Sequence, residues 1–186
     1  MITITLKGQE IPLLYTTWEM KQVQEEIGPI SRAISMVLGR NPDDKDDISG
    51  FASVEHLSNA AKLIRILGNA GLEEAGEEPY LTDKKVLRAL KPSDLATTVN
   101  ACMDAMAEGM ASEIPEKKQE GPVDVTLEEM KKKKREGRLT YLMVVSWGLI
   151  AGLTLNEIHS MRPGAVMDLF IYRRNYDDIQ HGIMRG

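Results

Sequence analysis

Ile2-Thr3-Ile4-Thr5-Leu6-Lys7-Gly8-Gln9-Glu10-Ile11-Pro12-Leu13-Leu14-Tyr15-Thr16-Thr17-Trp18-Glu19 changes its hydrophobic period once, and that change decides the fold. Ile2, Ile4 and Leu6 alternate with Thr3, Thr5 and Lys7, which is the period of a strand. Lys7 to Glu10 is a turn with a glycine available for positive φ. Ile11 to Tyr15 returns as a second strand, and Pro12, which removes one donor, makes it either an edge or a strand that starts late. Thr16-Thr17-Trp18-Glu19 then reads as a capping box, with Thr16 at the N-cap and Glu19 three residues on. From here the pattern is helical. A lone hairpin is marginal in water, so it must lie on those helices or pair with another chain. Self-association is therefore among the expected modes of contact.

The first helix is expected to run to Gly28, with Pro29 opening the next at its first position. Ile30, Ile34, Val37 and Leu38 form that second helix's apolar face. Asn41 to Asp47 is an acidic loop. Aligned on Gly50 as a calcium-binding loop, its first ligand position is Lys45 and its last is His56, so the pattern fails. Val54, Leu57, Ala61, Ile64 and Leu67 predict a helix stopped by Gly68. Thr82-Asp83 opens a short helix that Pro92 ends, and Ser93 is placed as the cap of the next. There Leu95, Val99, Cys102, Met103, Met106 and Met110 recur at three and four residues. Such a stripe usually faces a core. Methionine is also flexible and polarisable enough to repack against a partner, which makes Met103, Met106 and Met110 candidates for a partner surface.

The segment from Ser112 to Val125 has linker composition, with Pro115, Gly121, Pro122 and many charges. It divides the chain into a hairpin plus helical domain at 1–113, a linker at 114–126 and a C-terminal helical module at 127–186. Charge divides with it. Residues 1–126 hold 13 Lys and Arg against 21 Asp and Glu, whereas residues 127–186 hold 10 against 7. The seam is Lys131-Lys132-Lys133-Lys134-Arg135, a cationic run that belongs in water. Thr126-Leu127-Glu128-Glu129 is a second capping box ahead of it, and pairs of Glu128 with Lys132 and Glu129 with Lys133 are expected. Leu139, Leu142, Met143, Trp147 and Ile150 predict one helix face, ended at Gly152. Thr154-Leu155-Asn156-Glu157 is a third box, opening a short helix. Pro163 opens the last helix, where Ala165 to Tyr172 leave only Asp168 polar. That helix offers more apolar surface than a small module can cover, so Met167, Phe170 and Ile171 are the rear candidates for partner binding.

The whole chain has 186 residues, 42% hydrophobic and 27% charged, with a net charge of −5. This is the composition of an ordinary folded protein. The acidic balance argues against general nucleic-acid binding. The most apolar run, Leu142 to Leu153, is well short of the ~20 residues a spanning helix needs. The single Cys102 allows no internal disulfide. His56, His159 and His181 lie far apart in sequence, each read as a surface or helix-end imidazole, and no metal or cofactor is expected. There is no phosphate loop and no nucleophile elbow, and adjacent carboxylates such as Glu25-Glu26 point about 100° apart on a helix. The pattern is that of a protein without enzymatic activity. The fold class expected is mostly α with a small N-terminal β-hairpin.

Three stretches carry a resemblance. They are Ile2 to Gly8 with Trp18-Glu19; Leu81-Thr82-Asp83 through Leu90-Lys91-Pro92-Ser93-Asp94-Leu95; and Gly152-Leu153-Thr154-Leu155-Asn156-Glu157-Ile158 with Met161-Arg162-Pro163-Gly164-Ala165-Val166-Met167-Asp168-Leu169 and Tyr172-Arg173. Together the chain resembles the tail assembly chaperones of long-tailed, siphovirus-type bacteriophages and prophages. The resemblance implies a front domain that binds the tape measure protein and a rear module that recruits tail tube subunits. It also implies work in the bacterial host's cytoplasm and absence from the finished virion. In that family a ribosomal frameshift on A-rich codons often joins the two modules, and Lys131–Lys134 is where such a slip would fall. The alternative expectation is a small helix-turn-helix DNA-binding regulator, built on Thr154 to Arg174 with Arg162, Arg173 and Arg174 toward phosphates. Against it, the second of those helices is apolar where a reading helix needs polar side chains.

Overall fold

Lys7 and Gly8 both adopt positive φ, 51° and 83°. Two such residues in succession make the two-residue turn whose twist matches paired strands. That turn sets the register of β1 (Ile2–Leu6) and β2 (Gln9–Leu13), with Ile4 opposite Ile11 and Leu6 opposite Gln9. The second strand begins two residues earlier than the sequence pattern placed it, because the turn takes two residues rather than four. A two-stranded sheet consists of edges, which suits Pro12.

A computed structural model describes residues 2–40, 53–112, 125–136 and 138–180, without the side chains of 125–127, 135 and 175–180. Over these residues the chain is mostly α with a small N-terminal hairpin, the class its sequence predicts. The helices are α1 (Thr17–Glu26), α2 (Ile30–Val37), α3 (Val54–Glu74), α4 (Asp83–Ala89), α5 (Leu95–Met110), α6 (Val125–Arg135), α7 (Tyr141–Ile150), α8 (Leu155–Ser160) and α9 (Pro163–Gln180). The acidic loop at 41–47 lies outside the described residues.

The boxes at Thr16 and Thr154 form as expected, each threonine hydroxyl accepting from a first-turn N–H and each Glu accepting from the N-cap N–H. Two other starts differ. Asp94, not Ser93, is the residue ahead of α5, after a 3-10 turn over Pro92–Asp94. The helix α6 begins at Val125, so Thr126 lies inside it and the last two residues of the proposed linker are helical.

The long helix α3 does not stop at Gly68; it continues through Gly68 and Gly71 to Glu74. Both glycines serve packing. A Cβ on Gly68 would stand 2.6 Å from Leu81 Cδ1 and 3.1 Å from Ile11 Cγ2, and one on Gly71 would collide with the carbonyl of Pro12. Their bare faces let β2 lie directly on α3. The other strand, β1, lies on α5. Ile4, Leu6, Ile11, Leu13, Leu63, Ile64, Leu67, Val99 and Cys102 are buried in the resulting core.

The residues on either side of 113–124 share that core. Val144, Ile158, Val166, Met167 and Phe170 belong to the same buried cluster. The main joint is head to tail. The start of α1 meets the end of α8, with Thr17 N–H and hydroxyl both donating to Met161 O, at 2.9 and 3.0 Å, and Thr16 Oγ1 donating to His159 O at 2.8 Å. Helix starts have unpaired N–H groups and helix ends have unpaired carbonyls, so each end here satisfies the other. Arg162 pairs with Glu108 at 2.9 Å, and Tyr141 N–H donates to the Gln24 side chain.

Candidate functional site

The six candidate partner residues divide by depth. Met106, Met167 and Phe170 are buried in the core. Met103, Met110 and Ile171 are half-buried and packed against it. The structure also brings the two groups' helices together, since α5 packs on α9 and Gly164 fits against the carbonyl of Ala111. Phe170 stacks on Trp147 with ring centroids 6.1 Å apart. Asp168, the polar residue of that stretch, is buried and accepts from the Ser112 hydroxyl.

The apolar surface left in water lies elsewhere. On α7, Leu142 is 71% exposed, Leu149 51% and Ile150 65%, while Val144, Val145 and Gly148 face inward. Of the expected face of Leu139, Leu142, Met143, Trp147 and Ile150, Leu139 is buried and Met143 and Trp147 are half-buried, whereas Leu142 and Ile150 lie in water, which corrects the expectation for those two. A helix with sequence Tyr-Leu-Met-Val-Val-Ser-Trp-Gly-Leu-Ile carries no polar stripe, so its periodicity selects no face. Gly148 does. A Cβ there would stand 2.6 Å from Ile158 Cδ1 and 3.1 Å from Val166 Cγ1, so this side alone admits α8 and α9 at close range. Leu155, Leu169 and Tyr172 add to the exposed apolar surface of the rear helices.

Beside that face runs a groove of about 400 Å³ between α6 and α7. Met130, Leu142, Met143 and Trp147 supply its apolar surface, and Glu129, Lys133, Thr140 and Ser146 its polar one. Met130, buried to 3%, anchors α6. Glu129 and Lys133 pair at 2.9 Å, as expected, and Lys133 holds the Glu129 carboxyl below the usual range. Glu128 pairs with Lys131 at 3.5 Å instead of Lys132.

A second cluster lies at the head-to-tail joint. The Tyr141 hydroxyl is 2.7 Å from His159 Nε2, and the Trp18 ring centroid is 5.0 Å from that of His159. Glu19, buried in the capping box, has its carboxyl pushed up by desolvation and further by Glu73, against the lowering effect of its bonds from Thr16. His56 and His159 both sit in terminal turns. His56 is buried, with Nε2 2.9 Å from Val37 O, and His181 lies outside the described residues. Burial pushes the Cys102 thiol up to about 12, which leaves it a poor nucleophile.

Among the described residues no three of His, Cys, Asp and Glu come together as metal ligands, and no helix is long and apolar enough to cross a membrane. Of the arginines named for DNA contact, Arg162 is taken up by Glu108. Neither a family model nor any curated protein or solved structure matches the chain.

Proposed function

We propose that this chain is a tail assembly chaperone of a long-tailed bacteriophage or prophage. It binds the tape measure protein and recruits tail tube subunits in the cytoplasm of the bacterial host, without enzymatic activity, and leaves before the virion is complete. The sequence stretches given above support the family. The observation that carries the docking role is the uncovered apolar face of α7, Leu142, Leu149 and Ile150, beside the α6–α7 groove. Large apolar side chains held in water on one helix are where another protein would sit. A helix lying in an apolar groove is a common way to hold a partner transiently.

The test is co-expression with the tape measure protein and tube subunit of the same phage. The wild-type chain is expected to co-purify with both. Leu149→Glu places a carboxylate on the exposed face and is expected to lose the tube subunit while keeping its circular dichroism. Tube subunit recovered at the wild-type level with Leu149→Glu, or no recovery of either partner with the wild type, overturns the reading.

A further inference from the structure

We infer that a proton held by Glu19 locks the joint between the start of α1 and the end of α8, and that ionisation of Glu19 loosens it. The Thr16 hydroxyl stands between two oxygens, Glu19 Oε2 and the carbonyl of His159, the second at 2.8 Å. It has a single hydrogen to give. Its oxygen accepts from Trp18 N–H at 3.2 Å, and Glu19 Oε2 accepts from Thr16 N–H at 3.0 Å. With Glu19 ionised, the two contacts share one hydrogen, and either the carboxylate or the carbonyl goes without. With Glu19 protonated on Oε2, the carboxyl donates to Thr16 Oγ1, and the Thr16 hydrogen goes to His159 O. Both contacts are then hydrogen bonds, and together they tie α1 to α8.

The capping box of α8 is the control within the same molecule. Thr154 repeats the chemistry, its hydroxyl donating to Glu157 Oε2 at 2.7 Å. Among the described residues that hydroxyl meets no second acceptor, so one hydrogen serves one contact. Glu157 is exposed, and the bonds from Thr154 N–H and hydroxyl hold its carboxyl below the usual range. Glu19 is buried, and desolvation pushes its carboxyl the other way. The same four-residue pattern thus gives opposite protonation preferences, and the second acceptor and the burial are what differ.

No neighbouring cation holds Glu19 ionised. From α3, Glu73 adds like charge. Arg65 lines the same cavity but is bound to Glu26 and Asp83, and Lys62 donates to Glu26 O. The Tyr15 phenol is buried, and desolvation and the Glu19 charge both push it up. From α8 and α7, His159 Nε2 lies 2.7 Å from the Tyr141 hydroxyl. The charged residue of α2, Arg32, is exposed. Because the Glu19 carboxyl is raised in the fold, the lock is complete below that raised value and is lost as pH rises through it. The Thr16 hydrogen then turns to the carboxylate. His159 O loses its donor, and the joint keeps only the bonds of Thr17 to Met161 O.

Two measurements on the full chain test this. Carboxyl NMR follows the titration of Glu19, and amide exchange, corrected for its intrinsic pH dependence, follows the protection of Thr17 N–H. Protection is expected to fall about 5-fold, the worth of one ordinary hydrogen bond. Its midpoint is expected to match that of Glu19, above the ordinary carboxyl value of about 4.3. Glu19→Gln cannot ionise and is expected to abolish the step. Thr16→Val is expected to abolish it too, and should that variant fail to fold, Thr16→Ser is expected to keep it. His159→Gln removes the imidazole and retains the carbonyl, so the step is expected to remain, as it is with Glu157→Gln. A step that survives Glu19→Gln or vanishes with His159→Gln overturns the inference. So does a Glu19 that titrates at or below the ordinary value, or a Thr17 protection that does not change as Glu19 titrates.

Discussion

Glu19 performs two jobs that conflict. Its carboxylate closes the capping box of α1, accepting from Thr16 N–H at 3.0 Å, and the same position removes it from water beside Glu73. Burial wins, so its carboxyl is raised. The folded chain therefore binds this proton more tightly than the unfolded chain does. The group favours the fold most below the unfolded carboxyl range, and that contribution is lost as pH rises through the unfolded and then the raised folded value. Glutamine keeps an oxygen for the Thr16 N–H and carries no charge. Glu19→Gln is expected to raise the melting temperature at neutral pH and to flatten its fall across the weakly acid range. Melts from about pH 4 to about pH 8 check this, spanning the normal carboxyl range and above. A lower melting temperature for Glu19→Gln at neutral pH would show that the charge itself stabilises the cap.

At the scale of elements, close backbone approaches hold the helices in place. Gly109 near the end of α5 shows how. A Cβ there would lie 2.5 Å from the Tyr15 carbonyl oxygen and 2.9 Å from Tyr15 Cδ1. Gly109→Ala improves helix propensity by about 1 kcal/mol. It also wedges α5 off the strand exit, and overpacking of this kind costs about 1–3 kcal/mol. Net destabilisation in urea is expected, and unchanged or higher stability would show that Tyr15 moves aside freely. The same feature explains what the sequence made legible. Thr16 with Glu19 and Thr154 with Glu157 are local chemistry, readable within four residues, and both boxes form. The stripe of Leu95, Val99, Cys102 and Met106 is buried as its spacing implies. Gly68 read as a stop because its reason for being glycine, Leu81 and Ile11, lies outside its own helix. The outward face of α7 was hidden for a related reason, since only Gly148 and its distant neighbours choose it. The groove lies between two helices, α6 and α7, and no single period encodes that.

For the molecule as a whole, the helices before and after 113–124 hold one another through the Met161 joint, the Arg162–Glu108 pair and the packing of α5 on α9. A protease recognition site placed within 113–124 tests how far that goes. After cleavage the two pieces are expected to co-elute on gel filtration and to separate only in denaturant. Separation without denaturant would show that 1–113 and 127–186 are independent modules. The head-to-tail joint also bears on the timing of synthesis. Thr17 and Met161 are 144 residues apart. At the ~5–20 residues per second of synthesis, the acceptor is made roughly 7–30 s after the donors. Until then the start of α1 faces water or a nascent-chain binding factor. The first helix therefore gains these hydrogen bonds only after α8 has left the ribosome.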